Sequence, residues 1–217
     1  MDDLTIVQII AVAALPVLFA ITMHEVAHGW VARLLGDDTA ARMGRLSLNP
    51  VQHVDPVGTL VVPGLLLAFK TGFMFGWAKP VPVDFNRLRN PRRDMALVAA
   101  AGPAANLLMA LFWALLVRLA ISLQFEFVSV PLVIMGQIGI AINAVLMLVN
   151  LLPIPPLDGG RVLTGLLPYR WADRYARIEP YGFMILLALM FTNVLSAILG
   201  TPLHVLEGLM FEVAGLR

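Results

Sequence analysis

The residues best suited to chemistry are His24, Glu25 and His28, which form a His-Glu-x-x-His pattern at the end of a long apolar stretch. Residues four positions apart lie one turn above each other on the same face of an α-helix, so both imidazoles can bind one metal ion. The glutamate between them is close enough to handle a proton of an attacking water. The pattern therefore predicts a metal-dependent hydrolytic site on a helix.

The composition places this site in a membrane protein. Of the 217 residues, 59% are hydrophobic and only 13% are charged, and the mean hydropathy is +0.85. A soluble domain carries roughly a quarter of charged residues, so these values predict a polytopic protein in a lipid bilayer. The net charge of +1 argues against nucleic acid as a partner.

The apolar segments predict an all-α fold with about four transmembrane helices. The predicted spans are residues 4–35, 95–121, 130–152 and 181–199. Residues 57–69 are apolar but too short to cross, and the Pro63-Gly64 pair within them favours a re-entrant or interfacial element. Residues 201–217 mix apolar and charged side chains, which predicts a C-terminal amphipathic helix at the interface.

The distribution of positive charge predicts how these segments are oriented. Lys and Arg gather in residues 33–45, 70–94 and 161–177, whereas residues 119–130 contain neither. Because cytoplasmic loops of membrane proteins carry an excess of Lys and Arg, the first three regions are predicted to face the cytoplasm. Residues 57–69 must then enter and leave the membrane on the same side.

Asp158 is the candidate for a third metal ligand. Under this topology it reaches the same leaflet as His24 and His28, near the cytoplasmic face, whereas a true span at 57–69 would separate them by ~30 Å. A carboxylate beside a span is costly and usually functional, although an aspartate here could instead cap a helix. Because the chain has no cysteine, only His, Asp or Glu can hold a transition metal. Three such ligands leave a fourth position open, which is typical of catalytic zinc and of peptide-bond hydrolysis.

Two further motifs resemble those of a known family. Downstream of the histidines, the stretch from Asn150 to Gly159 reads Asn-x-x-Pro-x-x-x-x-Asp-Gly, and Gly102-Pro103-x-x-Asn106 lies in the preceding predicted span. With the helix that carries His-Glu-x-x-His, this combination resembles the site-2 protease family of intramembrane metalloproteases. The resemblance covers residues 20–165 and is closest to short prokaryotic members without a PDZ or CBS domain. It implies a single membrane-embedded metalloprotease domain over residues 1–217.

The resemblance also implies roles for individual residues. One Zn²⁺ per chain would be held by His24, His28 and Asp158, with Glu25 as the catalytic acid and base. Asn150 would hold substrate or the developing oxyanion, and Asn106 would line the same cleft. Both asparagines could instead serve packing or hydrogen bonding between helices. His53 is a further candidate for the metal or oxyanion site, with a solvated or hydrogen-bonded loop histidine as the alternative.

The implied substrate is a transmembrane protein that is cut in or near its membrane-spanning helix, as in regulated intramembrane proteolysis. The implied location is the cell membrane of a prokaryote. Such a helix must unwind, and a short β-hairpin near residues 44–60 could receive the unwound strand by edge pairing. Two alternatives stay open: a metal-binding membrane protein or transporter without hydrolytic activity, and a silent family member that only binds transmembrane segments. The sequence leaves the substrate's identity and the oligomeric state undecided.

Overall fold

The computed structural model describes residues 6–69, 76–123 and 126–216, which form helices and no strand. The helices are α1 (Ile6–Leu34), α2 (Thr39–Arg42), α3 (Val62–Ala68), α4 (Pro91–Ser122), α5 (Glu126–Asn150), α6 (Asp158–Leu166), α7 (Tyr169–Ala176), α8 (Glu179–Phe191) and α9 (Val194–Ala214). The predicted all-α class is confirmed. The other residues of the predicted segments and loops, namely 4–5, 70–75, 124–125 and 217, lie outside the described residues.

Among the described residues, four helices are long and apolar enough to cross a membrane, which confirms a multi-pass membrane protein. They cover Ile10–Leu34, Pro91–Ser122, Phe127–Asn150 and Val194–Ala214. At most a third of each apolar stretch is buried inside the protein, so at least two thirds of its side chains are partly or fully exposed. Outward-facing apolar side chains suit contact with lipid, because a helix already satisfies its own backbone hydrogen bonds. The first three helices coincide with the predicted spans.

The fourth long helix is not where the sequence placed it. Helix α8 ends at Phe191, and its 13 residues extend about 20 Å, too short to cross. Asn193 then adopts a left-handed conformation with a φ of 58° and separates α8 from α9. Asparagine tolerates this conformation better than most residues, which explains the break. The predictions of a span at 181–199 and of an interfacial helix at 201–217 are therefore wrong, because α9 is the long apolar helix.

Residues 44–60 do not form the predicted β-hairpin. Asn49 accepts a hydrogen bond from the backbone N–H of Val51, and Asp55 accepts two from Val57 and Gly58. These side-chain caps start a 3₁₀ turn at Pro50–Gln52 and a π-helical turn at Pro56–Val61, which leads into α3. Proline at the first position of each turn favours this choice over a strand. The apolar stretch Pro56–Leu66 is too short to span, as predicted for 57–69.

Helix α4 is the centre of the bundle and packs against α1, α5, α6 and α9. Its Trp113 and Val117 are buried against α5. A Cβ on Gly139 of α5 would lie 2.4 Å from the Trp113 ring, and one on Gly136 would lie 2.2 Å from Val117. The two glycines therefore allow the helices to approach closely. This tight pair forms the rigid support against which α1 places its histidines.

Candidate metal centre

The two histidines lie close against α4 because a glycine faces them. A Cβ on Gly102 would lie 2.4 Å from Nε2 of His28 and 2.5 Å from Cε1 of His24. These distances are far below ordinary contact, so no larger residue fits while the imidazoles keep their positions. The His-Glu-x-x-His turn of α1 and the Gly102-Pro103 turn of α4 thus form one surface.

Three potential ligand atoms converge in front of this surface. Nε2 of His24 lies 3.1 Å from Nε2 of His28 and 3.2 Å from Oδ2 of Asp158, and the third side of the triangle, from His28 Nε2 to Asp158 Oδ2, is 3.4 Å. Tetrahedral zinc with ligand bonds of 2.0–2.1 Å places its ligands about 3.3 Å apart. The three side chains therefore have the chemistry and the spacing that zinc requires.

Two details of the hydrogen bonding also fit a cation at this place. The Nδ1 atom of His28 lies 2.7 Å from the carbonyl oxygen of Val98, which only accepts, so Nδ1 carries the proton and Nε2 presents a lone pair in the neutral ring. Oδ2 of Asp158 is buried, and among the described residues it accepts no hydrogen bond. A lone pair and an unsatisfied carboxylate oxygen that face each other need a positive charge between them.

Asp158 is held in place by a turn that folds back on the end of α5. It is the first residue of α6, followed by two buried glycines. A Cβ on Gly159 would lie 2.2 Å from the carbonyl oxygen of Leu151, and one on Gly160 would lie 2.5 Å from the nitrogen of Pro155. Burial alone would raise the pKa of Asp158, but without a metal ion the protonated rings of His24 and His28 outweigh that effect and lower the pKa to about 2. The side chain is therefore a carboxylate at neutral pH.

Glu25 faces the same cavity as the three ligand atoms. Its Oε2 accepts a hydrogen bond of 2.8 Å from the backbone N–H of Val81. Gly29, one turn further along α1, permits this approach, since a Cβ there would lie 2.9 Å from the Val81 side chain. The cavity has a volume of about 250 Å³. Its lining comprises His24, Glu25, His28, Pro80, Val81, Val83, Phe85, Val98, Ala99, Asn150, Pro156, Leu157, Asp158 and Arg161.

The three other candidates from the sequence lie in different places. Asn150 lines the cavity, and its amide nitrogen donates to the carbonyl oxygen of Leu146. Asn106 is fully buried behind His24, outside the cavity, with Oδ1 2.6 Å from His24 Nδ1. His53 is also buried, but it is not among the residues of the cavity, and its Nε2 lies 2.8 Å from the carbonyl oxygen of Ser47.

Sequence reasoning did not identify two polar residues near this centre as functional candidates. Arg161 lines the cavity and lies over the Phe85 ring at 5.5 Å. Asn143 is fully buried in α5 and hydrogen-bonds to Asn106. Burying a polar residue inside an apolar span is costly, so the position of Asn143 in the sequence could have indicated a functional role.

Comparisons with known proteins agree with this site. The family model described as "Peptidase family M50" matches residues 123–193. The chain is 40% identical over 190 residues to "Putative zinc metalloprotease YwhC" of Bacillus subtilis, with 86% of this chain and 83% of the relative covered. It is 30% identical over 184 residues to "Putative zinc metalloprotease Rip2" of Mycolicibacterium smegmatis, with 82% and 66% covered. No solved structure matches the chain.

The relative from Bacillus subtilis shares most of its length with this chain, and its printed description agrees with three converging side chains that could hold a metal ion. The cofactor is therefore zinc, and the protein is a zinc-dependent metalloprotease. On these grounds the chain belongs to peptidase family M50, the site-2 protease family.

Proposed function

We propose that this protein is an intramembrane zinc endopeptidase that hydrolyses a peptide bond in or near a transmembrane helix of a membrane-protein substrate. The observation that carries the proposal is that three ligand atoms at zinc spacing and the Glu25 carboxylate share one cavity among helices suited to a bilayer. His24, His28 and Asp158 are the proposed ligands, and Glu25 is the proposed acid and base. The proposed unit is one metalloprotease domain over residues 1–217.

Zinc, when bound, supplies Lewis acidity that polarises a carbonyl oxygen and lowers the pKa of water towards ~7. The contribution of the chain is to hold the ion with two imidazoles and one carboxylate, which is the usual number of protein ligands at a catalytic zinc. The same three side chains line the cavity together with Glu25 and Asn150, so a substrate segment inside it can reach all five.

Glu25 moves the proton in the proposed reaction. As the water oxygen forms a bond to the carbonyl carbon, the carboxylate takes a proton from the water. When the carbon–nitrogen bond breaks, the same proton passes to the leaving amine nitrogen. The Val81 N–H holds Oε2 of Glu25 and so orients the carboxylate, which leaves Oε1 for the proton.

The size of the cavity supports an unwound substrate. An α-helix with its side chains is 10–12 Å across, and its carbonyl groups are already hydrogen-bonded. A cavity of about 250 Å³ suits a few residues of open chain better than a complete helix. Asn150 and Arg161 are the polar side chains that could contact such a segment, in addition to the proposed catalytic residues.

The charge distribution supports a site near the cytoplasmic leaflet, and the bacterial source of the relatives supports a prokaryotic cell membrane. Arg33, Arg42 and Arg45 follow the histidines closely in the chain, and Arg161 follows Asp158. An excess of Arg and Lys marks the cytoplasmic side of a membrane protein. The metal ligands lie at the same ends of their helices as these arginines.

A Glu25→Gln variant tests the proposal. Membranes that contain the wild type or the variant are incubated, and new protein N-termini are identified by mass spectrometry. Glu179→Gln, on the exposed first turn of α8, is the matched control. We expect new termini within apolar segments with the wild type and the control but not with Glu25→Gln, although all three bind one zinc.

Two results would refute this function. One is that Glu25→Gln, at normal zinc content, releases the same termini as the wild type. The other is that the wild type releases none and instead carries zinc across a vesicle membrane at a rate that the variant shares. The second result would favour a transporter, since transport needs no proton-handling glutamate.

A further inference from the structure

A chain of two buried amides extends from the back of the metal centre into the helix bundle. Asn106 of α4 and Asn143 of α5 are both completely buried, and neither lines the cavity. Oδ1 of Asn106 lies 2.6 Å from Nδ1 of His24, and Nδ2 of Asn106 donates to Oδ1 of Asn143 at 2.9 Å. Burying two amides among apolar helices is costly unless each is hydrogen-bonded. Their position suggests that they act on His24.

The direction of each hydrogen bond between these side chains follows from the backbone carbonyl groups that the two amides contact. Asn143 Nδ2 lies 2.8 Å from the carbonyl oxygen of Gly139, and Asn106 Nδ2 lies 3.2 Å from that of Ala20. Backbone carbonyls only accept, so both amide nitrogens must face them. Asn143 therefore presents its oxygen to Asn106, and Asn106 presents its oxygen to His24. Nδ1 of His24 must then donate, which leaves the lone pair of the neutral ring on Nε2, where the metal binds.

The two histidines differ in how this orientation is secured. His28 is held by the backbone carbonyl of Val98, which is present whatever the side chain at that position. Within the described part of the chain, Nδ1 of His24 is held by the Asn106 side chain, whose amide is in turn held by Asn143 and Ala20. The orientation of His24 therefore depends on two specific side chains from two helices.

We propose that Asn106 and Asn143 are positioning residues that fix the tautomer and ring orientation of His24 for zinc. The inference rests on the proposed zinc site, and it assigns Asn106 to the support of a ligand rather than to the substrate cleft. Asn143 acts indirectly, because it contacts Asn106 and not the ligand His24. Groups that hold a metal-binding histidine in this way commonly change metal affinity 10–100-fold when removed.

Zinc affinity is the first test. Asn106→Leu and Asn143→Leu keep approximate side-chain volume but break the chain of hydrogen bonds. Gln137→Leu removes another amide from α5 that is not part of this chain, and it serves as the matched control. Zinc dissociation constants are measured by competition with a chelator of known affinity. We expect about 10–100-fold weaker binding for Asn106→Leu, a smaller loss in the same direction for Asn143→Leu, and no change for the control.

The tautomer of His24 is the second test, and it needs no variant that could fail to fold. The chain has four histidines, so ¹⁵N-histidine labelling yields few signals to assign. In the metal-free wild type we expect a proton on Nδ1 of His24, in a hydrogen bond to Asn106, whether or not Nε2 also carries a proton to Asp158. The opposite tautomer would overturn the proposal, as would folded Leu variants that bind zinc as tightly as the wild type. A wild type that binds no zinc would instead refute the proposed function, while the tautomer could still be read.

Discussion

The substitution Gly102→Ala should remove zinc while leaving the fold largely intact. Its new Cβ would lie 2.4 Å from Nε2 of His28 and 2.5 Å from Cε1 of His24, against the 3.4–4 Å of ordinary contact. Both rings would have to move by about 1 Å, several times the ~0.2 Å tolerance of a metal–ligand bond. Such a movement would also stretch the hydrogen bonds of 2.6 and 2.7 Å that orient the two Nδ1 atoms.

Gly102→Ala should change the free energy of unfolding much less than it changes zinc affinity. Overpacking by one methyl group costs about 1–3 kcal/mol, and alanine recovers about 1 kcal/mol because it favours a helix more than glycine does. We therefore expect a net loss of roughly 0–2 kcal/mol in the free energy of unfolding of the metal-free protein. Zinc affinity should fall at least 100-fold, because both histidines are displaced at once.

The assay compares zinc content and thermal unfolding for Gly102→Ala and a control. Gly200→Ala is the control, because Gly200 also lies in a transmembrane helix and a Cβ there meets nothing within 4 Å. We expect the control to keep one zinc per chain. If Gly102→Ala binds zinc with wild-type affinity, the rings do not lie against α4 as described, and the derivation of the site from this contact is refuted.

Three further predictions concern the surroundings of the site. Val81→Pro removes the N–H that orients Glu25, so kcat should fall about tenfold at unchanged zinc content; an unchanged kcat would show that this hydrogen bond does not matter. Asp37 is buried, which raises its pKa, but hydrogen bonds from Thr39 and Asp84 outweigh this and lower it overall. Ionised Asp37 therefore contributes its full stabilisation above the ordinary carboxyl pKa of ~3.9, and this stabilisation is lost as the pH falls below that value. The Tm should decrease accordingly in the wild type, and Asp37→Asn should not show this decrease. At a 1,000-fold excess of zinc over Kd, bound zinc stabilises the folded protein by about 4 kcal/mol. Removing zinc with a chelator should therefore lower the Tm, and added zinc should restore it. A Tm independent of zinc would contradict this prediction.

Local features of the sequence were sufficient for the main elements. The spacing of four between His24 and His28 places both rings on one helix face, whatever surrounds that helix. Apolar length and charge content are properties of a continuous stretch, so the first three spans could be located within a few residues. The charge bias that predicted Asp158 on the level of the histidines also depends only on chain order.

The tertiary structure alone decided which polar groups support the site. Asn106 lies behind His24 rather than in the cleft, Asn143 joins it from another helix, and Val81 brings a backbone N–H to Glu25. These contacts join residues that are 37, 56 and 82 positions apart, and no local periodicity encodes them. They depend on how closely α1, α4 and α5 approach, and that distance is set where glycines such as Gly102 meet the side chains of the opposite helix.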